Sequence, residues 1–216
     1  MTGKAVLFDF DGTIADTAPD LGHALNRQRI ARNHPPLPIE LVRMVASAGA
    51  RGLLELGFGL KPEDPDYSAM REEFLDFYTE QFYRDTCLFP GIAELLEHLD
   101  KQAVPWGVVT NKPAKFTQPL MRLLGLHHRA GCIISGDDTA HTKPHPEPLL
   151  AACRQMNVLP NRCIYLGDDI RDVQASLAAG IIPIVALYGY LGNGAPPDTW
   201  GAAELIDHPN DLLCYL

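Results

Sequence analysis

Five short apolar runs, each followed by a stretch with helical spacing, constrain this chain more than any other feature. They are "AVLF" at 5–8, "PWGVVT" at 105–110, "CIIS" at 132–135, "CIYL" at 163–166 and "IPIVAL" at 182–187. They are apolar nearly throughout, so both faces of the sheet they form must be covered. The intervening segments supply the cover. Ile92, Leu95, Leu96 and Leu99 share one helical face, as do Phe116, Leu120, Leu123 and Leu124, and again Leu149, Leu150, Cys153 and Met156. This alternation predicts an α/β fold with a doubly wound parallel sheet. Such sheets bind ligands beyond the carboxyl ends of their strands, which directs attention to the residues that end each run.

One segment breaks the pattern. From about Thr17 to Tyr83 there is no convincing strand, only helical stretches separated by "NHPPLP", "SAGARG" and "KPEDPD". We expect residues 17–83 to form an all-helical cap domain inserted into a core domain of residues 1–16 and 84–216. Its linkers fall near Asp16–Ala18 and Arg84–Phe89. Met70, Phe74, Phe77 and Tyr78 make an apolar helical face that suits core packing and a dimer contact alike, so monomer and homodimer both stay open.

The bulk numbers narrow the function. With 216 residues, 46% of them hydrophobic, the chain can bury a sizeable core, and its net charge of -9 argues against a nucleic-acid partner. No run approaches the ~18 apolar residues of a membrane span. The five cysteines are scattered and lack any CxxC pair, as in reduced cysteines of a cytoplasmic protein.

Four of the five runs end in polar clusters. The first gives Asp9 and Asp11, followed by Gly12, with no adjacent lysine or arginine to neutralise them. The second gives Thr110, Asn111 and Lys112. The third leads through "SGDDTAHTKPHP" to Lys143, and the fourth gives Asp168, Asp169 and Asp172. In a parallel sheet all four share one edge. Carboxylates gathered this closely resist joint ionisation, and a divalent cation relieves them. An all-oxygen site suits Mg²⁺, which in turn attracts a phosphate that Lys143 and Thr110 can hold. Each cluster alone has a plainer reading: Asp9–Gly12 as a turn, Asp168–Asp169 as a loop and helix cap, Lys143 as a solvated lysine. His141 and His145 read as loop histidines, since Mg²⁺ disfavours imidazole.

Taken in order, "DFDGT", a strand-terminal Thr, a Lys in a "KP" turn and "GDDIRD" resemble the four motifs of the haloacid dehalogenase superfamily of phosphatases, and the helical insert resembles its type-1 cap. The resemblance spans essentially the whole chain. It implies a Rossmann-like sheet of order 3-2-1-4-5. It also implies Asp9 as nucleophile and Asp11 as general acid and base, with Asp9, Asp168 and the Asp11 carbonyl as Mg²⁺ ligands. Thr110, Lys143 and the backbones of Asn111 and Gly12 would bind the phosphoryl group, with Asp172 and Asp169 behind them orienting metal waters or Lys143. Ser47, Gly49 and Arg51 in the cap would reach the substrate, a small phosphorylated metabolite.

The start, "FDFDGTIADTAPDL", is similar to phosphoglycolate phosphatases, which the reading puts first. The tail "YGYLGNGAPPDTWGAAELIDHPNDLL" and "SAGARGLL" resemble N-acetylmuramic acid 6-phosphate phosphatases, the alternative. Both substrates carry a carboxylate that Arg51 could meet. A sugar-phosphate mutase shares the four motifs. A non-enzymatic phosphate-binding module is disfavoured by the intact clusters.

Overall fold

The computed structural model describes residues 4–216. The chain begins with β1 (Ala5–Phe8) and a two-residue β2 (Ala15–Asp16), then enters four helices: α1 (Ala18–Ile30), α2 (Ile39–Arg43), α3 (Gly49–Phe58) and α4 (Tyr67–Glu80). It returns through β3 (Cys87–Leu88) to α5 (Ile92–Lys101), β4 (Trp106–Val109), α6 (Ala114–Leu123), β5 (Ile133–Ile134) and α7 (Glu147–Met156). β6 (Cys163–Gly167), α8 (Ile170–Ala179), β7 (Ile182–Ala186) and β8 (Glu204–Ile206) complete it.

The main sheet is parallel throughout, in the order β5-β4-β1-β6-β7-β8. The five expected strands stand in the expected order, and a sixth, β8, extends one edge. Sequence reading passed over β8 because it has three residues and an exposed Glu204, so it lacks an apolar run. Alternation along β1 explains the unbroken apolar strands. Val6 and Phe8 pack into one hydrophobic cluster with α5, and Ala5 and Leu7 into another with α7. Both faces are therefore buried, and the connection from β1 to β4 runs to one side while β6 lies on the other. That reversal opens a crevice at the carboxyl ends of β1, β4 and β6.

The helices between β2 and β3 pack on one another, with Leu25, Leu53, Met70, Phe74 and Tyr78 buried in an apolar cluster that continues to Phe8 of the sheet. Met70, Phe74 and Tyr78 thus pack within the chain. Tyr78 also reaches α6, its ring centroid 4.8 Å from that of Phe116. The two connections to the sheet pair with each other, Ala15 opposite Leu88 and Asp16 opposite Cys87. A strand pair of two residues leaves no periodic signal, and the sequence showed linkers there.

Asp20, in the first turn of α1, ties the connections together. Its carboxylate accepts from the N–H groups of Arg84 at 3.1 Å, Asp85 at 3.0 Å and Thr86 at 2.9 Å, and from the Thr86 hydroxyl at 2.6 Å. It is 1% exposed, so its loss would strand buried donors. Asp20→Ala is expected to lower stability by about 2–4 kcal/mol in urea unfolding. A change near zero would mean that water replaces the carboxylate at this junction.

Candidate active site

The ends of β1, β4 and β6 and the loop after β5 meet the helical group at a cleft of about 280 Å³. Asp9 follows β1 directly, its N–H bonded to Leu166 O of β6 at 2.9 Å. Asp9, Asp168 and Asp172 each bring a carboxylate oxygen within 4.8 Å of the others, and all three are buried. Burial, then the charges of Asp9 and Asp172, hold the Asp168 carboxyl well above the usual carboxylate range. Burial likewise pushes Asp172 up to about 7, against the opposing pull of Lys143.

Lys143 supplies the local positive charge. Its Nζ donates to Asp172 Oδ1 at 2.7 Å, to the Tyr165 hydroxyl at 2.7 Å and to Val109 O at 3.1 Å. It also lies 2.9 Å from Asp9 Oδ1, so the two form an ion pair. Burial acts to lower the Lys143 pKa, but Asp172 and Asp9 outweigh it and the net direction is up. The backbone of Lys143 is clamped by Asn111. The Lys143 N–H donates to Asn111 Oδ1 and the Asn111 amide donates to Lys143 O, both at 2.9 Å. Asn111 is therefore a brace for Lys143. Thr110, at the end of β4, is 3% exposed and its Oγ1 accepts from the Lys112 N–H at 3.2 Å.

Asp11 departs from the expectation of an unneutralised pair. Its carboxylate lies 3.1 Å from Lys112 Nζ and accepts from the Thr17 hydroxyl at 2.5 Å. Lys112 is itself buried, 4.9 Å over the ring of Tyr78. Both aspartates thus have lysine partners, delivered by β4 and by the loop after β5. The local sequence concealed this because the lysines lie more than a hundred residues away.

The carboxylates differ in what satisfies them. Asp168 accepts from Thr13 Oγ1 at 3.0 Å, from Ser47 Oγ at 2.8 Å and from the Tyr190 N–H at 3.0 Å. Asp172 Oδ1 binds Lys143, and Oδ2 accepts the N–H groups of Asp168 and Asp169 at 3.1 Å. Asp172 thus faces Lys143 with one oxygen and the start of α8 with the other. Asp9 Oδ1 is buried, with the Lys143 ammonium 2.9 Å away. One lysine does not balance three carboxylates this close, and the all-oxygen cluster fits a divalent cation.

Two expectations need correction. The Gly12 N–H donates to Ala15 O at 3.0 Å, so it is no free phosphate donor. Gly12 is instead required sterically: its φ is +87°, and a Cβ there would strike the Asp168 carboxylate. Asp169 has no hydrogen bond to Lys143 and lies outside the carboxylate cluster. It caps α8, accepting from the Arg171 N–H at 2.8 Å, and its two oxygens grip the Arg171 guanidinium at 2.8 and 2.7 Å. Arg171 in turn holds Ser47 O at 2.8 Å. Gly49 opens α3 and lines the cleft together with the exposed Arg51.

Sequence reading missed Lys112, Tyr165, Arg171, Thr13, Thr17 and Tyr190 as parts of this site. Lys112 and Arg171 sit inside the Thr110–Lys112 and "GDDIRD" clusters, so position alone could have flagged them. Tyr165 lies in an apolar strand, and no local signal marks its hydroxyl.

The family model described as "Haloacid dehalogenase-like hydrolase" matches residues 6–186. The chain belongs to this family. It is 41% identical to an N-acetylmuramic acid 6-phosphate phosphatase of Pseudomonas aeruginosa, over 99% of this chain and 94% of that protein. It is 38% identical to a phosphoglycolate phosphatase of Xylella fastidiosa, over 97% of this chain and 91% of that one. A crystal structure described as a predicted phosphoglycolate phosphatase from Haemophilus somnus superposes with a TM-score of 0.86. That likeness has 26% identity and covers 100% of this chain and 98% of the other. Both curated relatives of this haloacid dehalogenase-like hydrolase are matched nearly end to end, so the likeness includes the four inserted helices. No described helix is long and apolar enough to cross a membrane.

The raised Asp168 and Asp172 carboxyls set a sign for stability. A carboxyl whose folded pKa exceeds its unfolded value stabilises the fold while protonated, and that contribution is lost as pH rises through the folded value. Without a cation, the midpoint of thermal unfolding should be lower at about pH 8 than at about pH 6, and Asp168→Asn should shrink the difference. Added Mg²⁺ should recover more of it at the higher pH, because cation and proton compete for one cluster. A cation effect independent of pH would show that binding occurs elsewhere.

Proposed function

We propose that the chain is a Mg²⁺-dependent phosphomonoester hydrolase that works through an aspartyl-phosphate on Asp9. The observation that carries this is the cluster of Asp9, Asp168 and Asp172 at a cleft that Asp9, Thr110 and Lys143 line. In the first step an Asp9 carboxylate oxygen attacks phosphorus and the bond from phosphorus to the ester oxygen breaks. Asp11, in its protonated form, gives its proton to that departing oxygen. In the second step Asp11 takes a proton from water as the water oxygen attacks phosphorus. The acyl-phosphate bond breaks, and inorganic phosphate leaves.

Lys143 offsets charge on the phosphoryl oxygens, and Thr110 offers them its hydroxyl. The carboxylates of Asp9 and Asp168, with the Asp11 backbone carbonyl, would hold Mg²⁺, and Asp172 would orient the cluster. When bound, the cation neutralises charge shared by the carboxylates and the phosphate. To serve as acid, Asp11 exchanges its contacts with Lys112 and Thr17 for the leaving oxygen. Thr17 directly precedes α1, so movement of the four helices over the cleft, as a cap of residues 17–83, would release and recapture Asp11.

For the substrate, the cleft favours a phosphorylated sugar acid such as N-acetylmuramic acid 6-phosphate. A volume of about 280 Å³ with Tyr67, Phe74, Tyr78 and Phe116 in its walls gives a pyranose ring an apolar surface to lie on. The 41% identity to a protein with that named activity supports the same reading. Phosphoglycolate is the second reading, supported by the 38% identical relative.

Asp9→Asn should keep the fold and lose turnover by about 10³-fold or more, and EDTA should abolish turnover of the wild type. Phosphate release is then compared among N-acetylmuramic acid 6-phosphate, 2-phosphoglycolate and glucose 1-phosphate. The sugar acid should lead in kcat/KM. A dominant phosphoglycolate activity would favour the second reading, and transfer of phosphate between sugar positions without release would mark a mutase.

A further inference from the structure

The sheet face covered by α7 holds a group of sulfurs that the phosphoryl chemistry does not use. Cys132 just before β5, Cys153 of α7 and Cys163 of β6 are buried in one apolar cluster, with Met156 packed against it. Their contacts sort them. Cys132 Sγ lies 3.3 Å from Met156 Sδ, a thioether with no thiol to offer. Cys153 Sγ lies 3.7 Å from Cys163 Sγ. No other pair of thiols among the described residues is hydrogen-bonded, and the two remaining cysteines, Cys87 and Cys214, are exposed.

The pair sits one layer below the surface. Residues 154–162 turn the chain from α7 into β6, and Arg154, Gln155, Asn157, Leu159 and Arg162 along this turn are exposed. Local opening of the turn is enough to bring a water-sized oxidant to the sulfurs. Acidity separates Cys153 from Cys132. The hydrogen bond with Cys163, and then the charge of Arg154, hold the Cys153 thiol below its ordinary value against the effect of burial. Burial pushes the Cys132 thiol up to about 12. The thiolate is the form that attacks an oxidant, so Cys153 is the better placed to react.

We propose that Cys153 and Cys163 form a redox modification site, which a small peroxide converts to a disulfide joining α7 to β6. Cys153 Sγ attacks one oxygen of hydrogen peroxide and the O–O bond breaks. The departing hydroxide takes the Cys153 proton as water, leaving a sulfenic acid. Cys163 Sγ then attacks that sulfur and the S–O bond breaks, the hydroxide leaving with the Cys163 proton as a second water. The pair gives up two electrons and the peroxide takes them. The sulfurs close from 3.7 Å to about 2 Å, a movement shared by the two side chains and the turn between them. Cys163 opens β6 whereas Asp168 follows its end, so the cross-link forms at the opposite edge of the sheet from the carboxylate cluster. The proposal does not rest on the phosphatase reading.

The test treats the full chain with hydrogen peroxide, caps the remaining thiols with N-ethylmaleimide in denaturant and maps the digest by mass spectrometry without reduction. The peptides bearing Cys153 and Cys163 should appear joined and lighter by two hydrogens, and dithiothreitol should separate them. Cys132→Ala should keep the link. Cys163→Ser should replace it with a sulfenic acid on Cys153 that dimedone traps. Cys153 and Cys163 recovered as capped thiols, at a peroxide dose that oxidises Cys87 or Cys214, would overturn the proposal and leave the pair as inert core residues. A link from either one to Cys132 instead would overturn it equally, and the wild-type map decides both points even if a variant fails to fold.

Discussion

Everything at the sheet edge answers to the repulsion among three buried carboxylates. Asp9, Asp168 and Asp172 crowd within 4.8 Å, where neither water nor distance screens them. Lys143 offsets part of this by reaching two of them at once, and its own charge is stable only because they are there. The remaining devices fix the group in place. Tyr165 and Val109 hold the Lys143 ammonium, Asn111 braces its backbone, and the α8 cap locks Asp172. Asp9 lines the cleft, which makes the cluster a site as well as a structural knot.

The same contacts join the helical group to the sheet. Ser47 donates to Asp168 and Arg171 grips Ser47 O, so the loop before α3 is fastened to the carboxylate cluster. Tyr190 links the cluster to the first connection: its N–H reaches Asp168, and its hydroxyl donates to Asp16 and accepts from the Ala18 N–H. Arg43 of α2 forks onto Asp16 from the other side at 2.9 and 2.5 Å. Charge at the cluster and the seating of the helices are therefore coupled through few intermediaries.

Much of this was legible because it is periodic or terminal. Apolar runs without alternation disclosed a sheet covered on both faces, and Asp9, Thr110, Lys143 and Asp168 stood out as polar residues where such runs end. Two kinds of feature escaped. β8 and the β2–β3 pair are too short and too exposed to impose a pattern. Lys112, Arg171 and Tyr190 act across long sequence separations, so their partners appear only once the chain is folded. Asp169 carried two readings in the sequence, helix cap and orienting carboxylate, and in the fold it caps α8.

The most direct test of this account is chemical capture of the phosphoryl group. Enzyme mixed with a hydrolysed phosphate ester and Mg²⁺ is quenched in acid during turnover, digested and analysed by mass spectrometry. The account predicts a phosphoryl group on the peptide containing Asp9, absent from the Asp9→Asn protein. Steady turnover with no phosphorylated peptide under any quench time would contradict it, and would point to direct attack of water on the substrate.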